Sequence, residues 1–244
     1  MIDISQLSYR YPDSQDFALQ QINLHIPQGK TIGLLGSNGA GKTTLMSLLA
    51  GLLPIQQGQI YLENIAFADL TKLQRQKISL VPQDFAFYPL LTVWENLKFF
   101  AALYSVKNAH YLSSLLEMTG LTPQRDKLAK QLSGGMKRRL NFIIGLINQP
   151  KIIFLDEITV GVDPLSRQFI LSMVKQLHEQ GITIIYTSHY LQEIEQLCQE
   201  IVLLQQGTMV YQGDMAQILA QNDCHSLEQF YLNFLAKQAD NHVN

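Results

Sequence analysis

The spacing of hydrophobic residues changes several times along this chain of 244 residues. Residues 2–9 and 22–26 alternate polar with apolar positions, which predicts half-buried strands. Residues 152–155 and 182–186 are continuous apolar runs, typical of strands buried on both faces of a parallel sheet. The segment 165–180 between them has helical spacing, so the two runs and this helix predict a βαβ unit.

The middle of the chain has a helical rather than a strand-like pattern. Thr92 and Glu95 have the spacing of a capping box, and a second helix is predicted over 109–118. We therefore interpret residues 84–145 as a helical subdomain inserted into a strand-rich domain that covers residues 1–225. Further strands are predicted at short apolar segments around the insertion, which are 31–35, 59–62, 78–81, 201–204 and 209–211, the last two as a hairpin.

The C-terminal segment, 226–244, is predicted to be a helix followed by a polar end. Its helix has apolar residues at a spacing of three and four, at Leu227, Phe230, Tyr231 and Phe234. This face could pack on its own domain or contact a partner. The end, residues 238–244, is predicted to be frayed.

Composition narrows the class of protein further. A hydrophobic fraction of 47% is enough for a full core, and a net charge of −2 gives no overall attraction to nucleic acid. The two cysteines have neither metal-binding nor redox-motif spacing. Because Asp3 comes early and no apolar run reaches 18 residues, we expect a cytoplasmic protein without a signal peptide.

One motif identifies the ligand class. The sequence G-x-x-x-x-G-K-[ST] follows the predicted strand 31–35 and precedes a predicted helix over 44–50, as in a phosphate-binding loop. Its glycines let backbone amides surround phosphate oxygens, and the helix N-terminus adds a partial positive charge. Its lysine can reach the β- and γ-phosphates, and its threonine can bind Mg²⁺. The loop consists of Gly36, Ser37, Asn38, Gly39, Ala40, Gly41, Lys42 and Thr43.

Two acids at the end of the strand 152–155 could complete such a site. Asp156 lies where ligands bind in open α/β sheets, and it suits a Mg²⁺ shell. Glu157 is the next residue, and it is placed to polarise an attacking water. Taken alone, the pair could also be two solvated acids that close a strand.

The segment Ser133-Gly134-Gly135-Met136-Lys137-Arg138-Arg139 adds a second helix N-terminus with exposed amides. With this segment, residues 2–213 closely resemble the ATP-binding subunits of ABC transporters. The resemblance implies an α/β fold with a P-loop NTPase, RecA-like core, an N-terminal antiparallel β-subdomain and the inserted helical subdomain. It also implies that the protein binds ATP and Mg²⁺.

The resemblance assigns roles to individual residues. It extends the phosphate loop to Thr44, and it makes Gln83 the glutamine that contacts Mg²⁺ and the attacking water. Ser133 to Gly135 resemble the signature that binds the γ-phosphate held by the other protomer. Asp156 and Glu157 resemble the metal-site acid and the catalytic glutamate. The remaining assignments are Asp163 in the loop at the dimer interface, His189 at the γ-phosphate, and Tyr11 against adenine, with Tyr9 as its alternative.

The partners follow from the same resemblance. They are a second nucleotide-binding protomer, identical or closely related, and a separate transmembrane permease that holds the chain at the inner face of the cell membrane. No nucleic acid is expected. The form of the signature, with Thr-Ser-His-Tyr-Leu-Gln-Glu-Ile-Glu at 187–195, is similar to ATPases of ABC-2-type exporters. An importer subunit is the first alternative, and a soluble ABC ATPase acting on ribosomes or DNA is the second. A resistance or regulatory ATPase without a transport cycle is the third.

The chain departs from the family pattern at two positions close to the reacting groups. Ile158 replaces the usual proline after the glutamate, and Val162 replaces the usual leucine. Both are apolar changes beside the reacting groups, so hydrolysis is still expected, at a rate that these residues could alter.

Overall fold

A computed structural model describes the backbone of residues 1–241 and the side chains of residues 1–237. The N-terminal strands form a four-stranded antiparallel sheet in the order β2-β1-β4-β5. Its alternating pattern places one face in the core, as the sequence predicted. The strands of this sheet are β1 (Ile2–Tyr9), β2 (Leu19–Ile26), β4 (Gln57–Leu62) and β5 (Ile65–Ala66).

The larger sheet has six strands in the order β10-β9-β3-β8-β7-β6. All neighbours are parallel except β10, which pairs with β9 as the predicted hairpin. The apolar runs of its central strands are buried on both faces, and this confirms the predicted α/β fold with a parallel core. Its strands are β3 (Thr31–Leu35), β6 (Ile78–Val81), β7 (Ile152–Asp156), β8 (Thr183–Thr187), β9 (Glu200–Gln205) and β10 (Thr208–Asp214).

Helices cover this sheet and form the insertion. Three of them, α3, α4 and α5, lie within the predicted helical segment, and α3 begins with the capping box of Thr92 and Glu95. Short 3-10 turns connect the elements at Phe67–Asp69, Thr122–Gln124 and Ala129–Gln131. The α-helices are α1 (Lys42–Leu49), α2 (Lys72–Arg75), α3 (Val93–Leu103), α4 (Ala109–Met118), α5 (Gly134–Ile144), α6 (Pro164–Glu179), α7 (Leu191–Leu197), α8 (Met215–Gln221) and α9 (Leu227–Asn241).

Two hydrophobic clusters lie on opposite faces of the six-stranded sheet. Successive residues of β7 alternate between them: Phe154 packs with the antiparallel sheet and α1, and Leu155 packs with the helical segment. The C-terminal end of β7 is therefore packed against hydrophobic core on both faces of the sheet. No helix within residues 1–241 is both long enough and apolar enough to cross a membrane.

The sequence predictions were incomplete at several elements. Strand β2 begins at Leu19, three residues before the predicted start, and helices α2, α7 and α8 were not predicted. Helix α9 packs on its own chain, since Leu227 and Phe230 are buried in the core. The predicted frayed end over 238–244 lies outside the residues whose side chains are described, and the boundary at residue 225 stays a prediction.

Candidate functional site at the phosphate loop

The phosphate loop connects β3 to α1 and requires glycine at its last turn. Gly41 has a φ of 102°, and a Cβ there would lie 2.6 Å from the carbonyl oxygen of Ala18. Only glycine adopts this conformation without strain and leaves the approach open. Helix α1 begins at Lys42, so its first amides and its positive dipole end point into the loop.

The lysine of the motif lies within the loop itself. Lys42 donates hydrogen bonds from Nζ to the carbonyl oxygens of Gly36 and Ser37, at 2.8 and 3.1 Å. Burial lowers the pKa of Lys42, and the negative charges of Glu157 and Asp156 act in the opposite direction. The ammonium is therefore held by carbonyl oxygens at the base of the loop, with two carboxylates nearby to balance its charge.

Asp156 joins the phosphate loop to the neighbouring strand through both carboxylate oxygens. Its Oδ2 accepts a hydrogen bond from Thr43 Oγ1 at 3.0 Å, and its Oδ1 accepts one from Thr187 Oγ1 at 2.6 Å. A hydroxyl and a carboxylate side by side are the hard oxygen donors that Mg²⁺ prefers. The donor set of Thr43 and Asp156 therefore fits a magnesium ion.

Glu157 and His189 form a pair at the mouth of this site. The distance from His189 Nε2 to Glu157 Oε2 is 3.0 Å. Glu157 has a φ of 49°, and its amide donates to both the carbonyl oxygen and Oγ1 of Thr187, at 3.2 and 3.0 Å. A non-glycine residue in this left-handed region is held there by its surroundings, and such residues occur preferentially at functional sites.

The two tyrosines considered from the sequence have different environments. Tyr9 is only 4% exposed within the core, whereas Tyr11 is 42% exposed and faces the phosphate loop. Tyr11 Oη lies 3.2 Å from Thr44 Oγ1, and the two tyrosine rings pack edge to face at 5.1 Å. Tyr11 is thus the accessible ring of the pair.

These residues surround one cleft of about 480 Å³, which we call the phosphate-loop cleft. It brings together residues that are far apart in sequence, including Gln83 from the segment after β6 and His189 after β8. Its lining consists of Tyr11, Ala18, Asn38, Gly39, Ala40, Gly41, Lys42, Thr43, Thr44, Gln83, Glu157 and His189. Asp156 lies beneath this lining, hydrogen-bonded to Thr43.

The Ser-Gly-Gly segment contributes nothing to the lining of this cleft in its own chain. Ser133 caps α5 by accepting a hydrogen bond from the amide of Met136. A Cβ on Gly135 would collide with Ser166 Oγ and would lie 3.4 Å from Asp163 Oδ2. The N-termini of α5 and α6 therefore lie against each other, and Asp163 caps α6.

Hydrogen bonding also sets the charge of this capping aspartate. The amide of Ser166 donates to Asp163 Oδ1 at 3.0 Å, and this hydrogen bond lowers the pKa of Asp163. The carboxylate is therefore ionised at the exposed end of the helix, where the helix dipole favours a negative charge.

Sequence reasoning did not single out two buried charged residues beside the cleft. Arg138 lies on α5 and contacts the carbonyl oxygen of Gln83, and Glu193 lies on α7 and accepts hydrogen bonds from the strand that precedes His189. Both fell inside motifs that were used for the family resemblance. Charged residues are rarely buried, and only the tertiary contacts reveal the burial of these two.

A parallel sheet with a glycine-rich loop, a lysine and a threonine at a helix N-terminus defines a P-loop nucleotide-binding domain. The family model described as ABC transporter matches residues 19–160, more than half of the chain, and the chain belongs to this family.

Curated relatives support the same family. The chain is 43% identical over 195 residues to the linearmycin resistance ATP-binding protein LnrL of Bacillus subtilis (strain 168), covering 79% of this chain and 63% of LnrL. It is 34% identical over 232 residues to the Nod factor export ATP-binding protein I of Burkholderia pseudomallei (strain 1710b), covering 93% and 75%. The chain thus spans less than two thirds of LnrL.

A solved structure supports the fold. The dimeric post-hydrolysis state of the ATP-binding cassette MJ0796, bound to ADP and Pi, superposes with a TM-score of 0.77 at 26% identity. The match covers 88% of this chain and 99% of that chain. The architecture is therefore that of an ABC ATPase cassette.

Proposed function

We propose that this chain binds and hydrolyses ATP as the nucleotide-binding subunit of an ABC transporter of the exporter type. The observation that carries the proposal is the Glu157–His189 pair, held beside Thr43 and Asp156 at the phosphate loop. The relatives described above, one of them named as an export protein, support the exporter class. The identity of the transported substrate depends on the membrane partner.

The residues of the cleft have separate roles in binding and hydrolysing ATP. Tyr11 stacks on adenine, and the loop amides with Lys42 bind the phosphates. Thr43 and Asp156, with Gln83, would hold Mg²⁺, which would supply a positive charge that polarises the γ-phosphoryl group. Glu157 accepts a proton from water as the water oxygen attacks the γ-phosphorus and the bond to the β-phosphate oxygen breaks.

His189 has a separate task in this scheme. Its ring is half exposed at the mouth of the cleft and lies within hydrogen-bond distance of Glu157. From there it can orient the Glu157 carboxylate and donate to an oxygen of the γ-phosphate. The pair thus positions the base relative to the group under attack.

A second protomer completes the site. Ser133 and Gly134 are exposed and Gly135 is buried at this helix N-terminus, whose amides are donors suited to phosphate and lie outside the cleft of their own chain. We therefore infer a head-to-tail dimer in which these residues contact the γ-phosphate bound by the partner, with Asp163 in the interface. ATP then favours the closed dimer because it contacts both protomers, and hydrolysis removes that link.

A membrane partner has a suitable surface beside Gln83. An apolar groove of about 300 Å³ lies between the sheet and the helical segment, lined in part by Pro82, Ala86, Phe100 and Tyr104. Because the groove lies next to Gln83, a movement that closes the cleft would be transmitted to a bound permease. We propose that this groove contacts the permease, which holds the chain at the cytoplasmic face of the membrane.

The variant Glu157→Gln tests the hydrolytic role. It keeps the shape of the side chain but removes its basicity, so we expect kcat to fall by about 100-fold or more with ATP affinity retained. The variant should also accumulate an ATP-bound dimer, detectable by light scattering. Glu117→Gln, on the exposed face of α4, is the matched control and should behave as wild type. Near-normal turnover in Glu157→Gln would refute the assignment.

The same background tests the dimer. Adding Ser133→Arg to Glu157→Gln places a bulky cation at the N-terminus of α5, so we expect ATP still to bind but the ATP-dependent dimer to be lost. Persistence of the dimer in the double variant would contradict the shared site.

A further inference from the structure

The guanidinium of Arg138 lies where three segments of the cleft machinery meet. Arg138 is on the second turn of α5, five residues after Ser133, and is only 6% exposed. One terminal nitrogen donates to the carbonyl oxygen of Gln83, and the other donates to the carbonyl oxygen of Val160 at 3.2 Å. A planar guanidinium can bridge two carbonyls in this way, whereas an ammonium acts as a point charge.

The surroundings of Arg138 fix this arrangement. Its guanidinium lies over the ring of Phe85 at 4.9 Å. Burial lowers the pKa of Arg138, and the negative charge of Asp84 acts in the opposite direction, so the segment that receives the hydrogen bond also balances the charge. Asp84 and Phe85 are the two residues after Gln83. Arg138 therefore contacts this segment through a hydrogen bond, an opposite charge and an aromatic ring.

A second residue of α5 holds the same segment one turn further along. Asn141 Nδ2 donates to the carbonyl oxygen of Pro82 at 3.1 Å, and its Oδ1 accepts from the amide of Ala86 at 2.9 Å. Residues 82–86 thus have their main backbone attachments on α5. Val160, between Glu157 and Asp163, is attached to α5 through Arg138.

We propose that Arg138 is a positioning residue that makes the Ser133–Gly135 helix, Gln83 and the 157–163 loop move as one unit. A displacement of α5 at the dimer interface would then change the position of Gln83 and of the loop that follows Glu157. The inference rests on the proposed function, and it adds a connection within each protomer between the partner-facing signature and its own cleft.

The next residue offers a matched control. Arg139 donates to the carbonyl oxygen of Thr119 at 3.0 Å and lies over the ring of Phe169 at 4.9 Å. These contacts attach the same helix to the end of α4 and to α6, without touching Gln83 or Val160. Loss of either arginine removes one cation from α5, but only the loss of Arg138 releases the two cleft segments.

Amide hydrogen exchange tests the connection without nucleotide. The reporters are the amides of Ala86 and Val160, which are hydrogen-bonded to Asn141 Oδ1 and to the carbonyl oxygen of Glu157. In Arg138→Met we expect both to exchange at least about tenfold faster than in wild type. In Arg139→Met they should be unchanged, although the melting temperature falls.

Steady-state kinetics provide the second readout. Because a misplaced Gln83 and 157–163 loop affect the chemical step, Arg138→Met should lower kcat by about tenfold or more while KM for ATP changes less than about threefold. Arg138→Lys keeps the cation but lacks the rigid fork whose two terminal nitrogens reach Gln83 and Val160, so it should fall between wild type and Arg138→Met in both assays. Arg138→Lys also replaces Arg138→Met as the test variant if Arg138→Met does not fold.

The outcomes are separable. Wild-type exchange and wild-type kcat in a folded Arg138→Met or Arg138→Lys variant would overturn the inference. Accelerated exchange with unchanged kcat would also overturn it, because the attachment would then have no effect on the cleft. If the wild-type protein does not hydrolyse ATP, the proposed function fails, and the exchange result still decides whether Arg138 holds the two segments.

Discussion

The buried carboxylate of Glu193 gives a prediction whose size follows from its contacts. Glu193 is 4% exposed, and its Oε2 accepts hydrogen bonds from Thr159, Tyr186 and Ser188, at 2.8, 2.7 and 2.6 Å. Its Oε1 lies 3.5 Å from Arg167 Nε. Burial, and then the negative charge of Glu193, hold the pKa of Tyr186 well above its usual value, so the phenol remains a donor.

The change Glu193→Gln keeps the volume and removes the charge. Hydrogen bonds to a charged group are worth about 1.5–3 kcal/mol, and neutral ones about 0.5–1.5 kcal/mol, so three bonds weaken by roughly 1 kcal/mol each. The free energy of unfolding should therefore fall by about 3 kcal/mol, a large part of the usual stability of a domain. Urea denaturation measures this difference.

The prediction also has a functional part and a control. Ser188 precedes His189, and its Oγ accepts a hydrogen bond from the amide of Tyr190 at 3.0 Å. If the bond from Ser188 to residue 193 weakens, Ser188 should move, displace His189 and lower kcat by about tenfold. Tyr186→Phe removes one donor and leaves the charge, so it should cost about 1–2 kcal/mol. If Glu193→Gln changes the unfolding free energy by less than about 0.5 kcal/mol, the reasoning on its buried charge is refuted.

Substitutions at three further residues probe the cleft and the helical segment. Tyr11→Ala should weaken ATP binding by about tenfold or more, measured by calorimetry, whereas Tyr11→Phe should bind as wild type because it keeps the ring. Gly41→Ala should abolish ATP binding, since its Cβ would lie 2.6 Å from a backbone oxygen; normal affinity there would contradict the loop geometry. Burial raises the pKa of Tyr111 to about 12, and its hydroxyl donates to the carbonyl oxygen of Leu146 at 2.6 Å. Because its folded pKa lies above its unfolded value of about 10, the stability it adds is complete below that pH and is lost as pH rises towards 12. Tyr111→Phe should be less stable by about 1 kcal/mol at pH 8 and should lack this part of the alkaline loss in urea titrations; an unchanged alkaline slope would argue against it.

Local patterns were enough to predict most of what builds the cleft. The phosphate loop needs glycines, a lysine and a threonine at fixed spacing, and Asp156 follows a strand whose apolar run is continuous, so both could be recognised from neighbours in sequence. Helix α7 has only seven residues, and one of its three buried positions is occupied by Glu193, so its apolar face is short and interrupted. The contact between Arg138 and Gln83 joins residues 55 positions apart, which no local pattern encodes.

The 157–163 loop explains why two buried charges persist beside the cleft. Thr159 donates to Glu193 on one side of the loop, and the carbonyl oxygen of Val160 accepts from Arg138 on the other. Buried charges are often no more stabilising than a well-packed apolar residue of similar size. An apolar residue, however, cannot fix the direction of a hydroxyl or a carbonyl. Because Glu157 has a left-handed backbone, which neighbouring contacts must enforce, directional bonds to the next residues hold its carboxylate in the position proposed for taking a proton from water. The two charges therefore contribute to the placement of Glu157, which an apolar replacement would not supply even if it packed well.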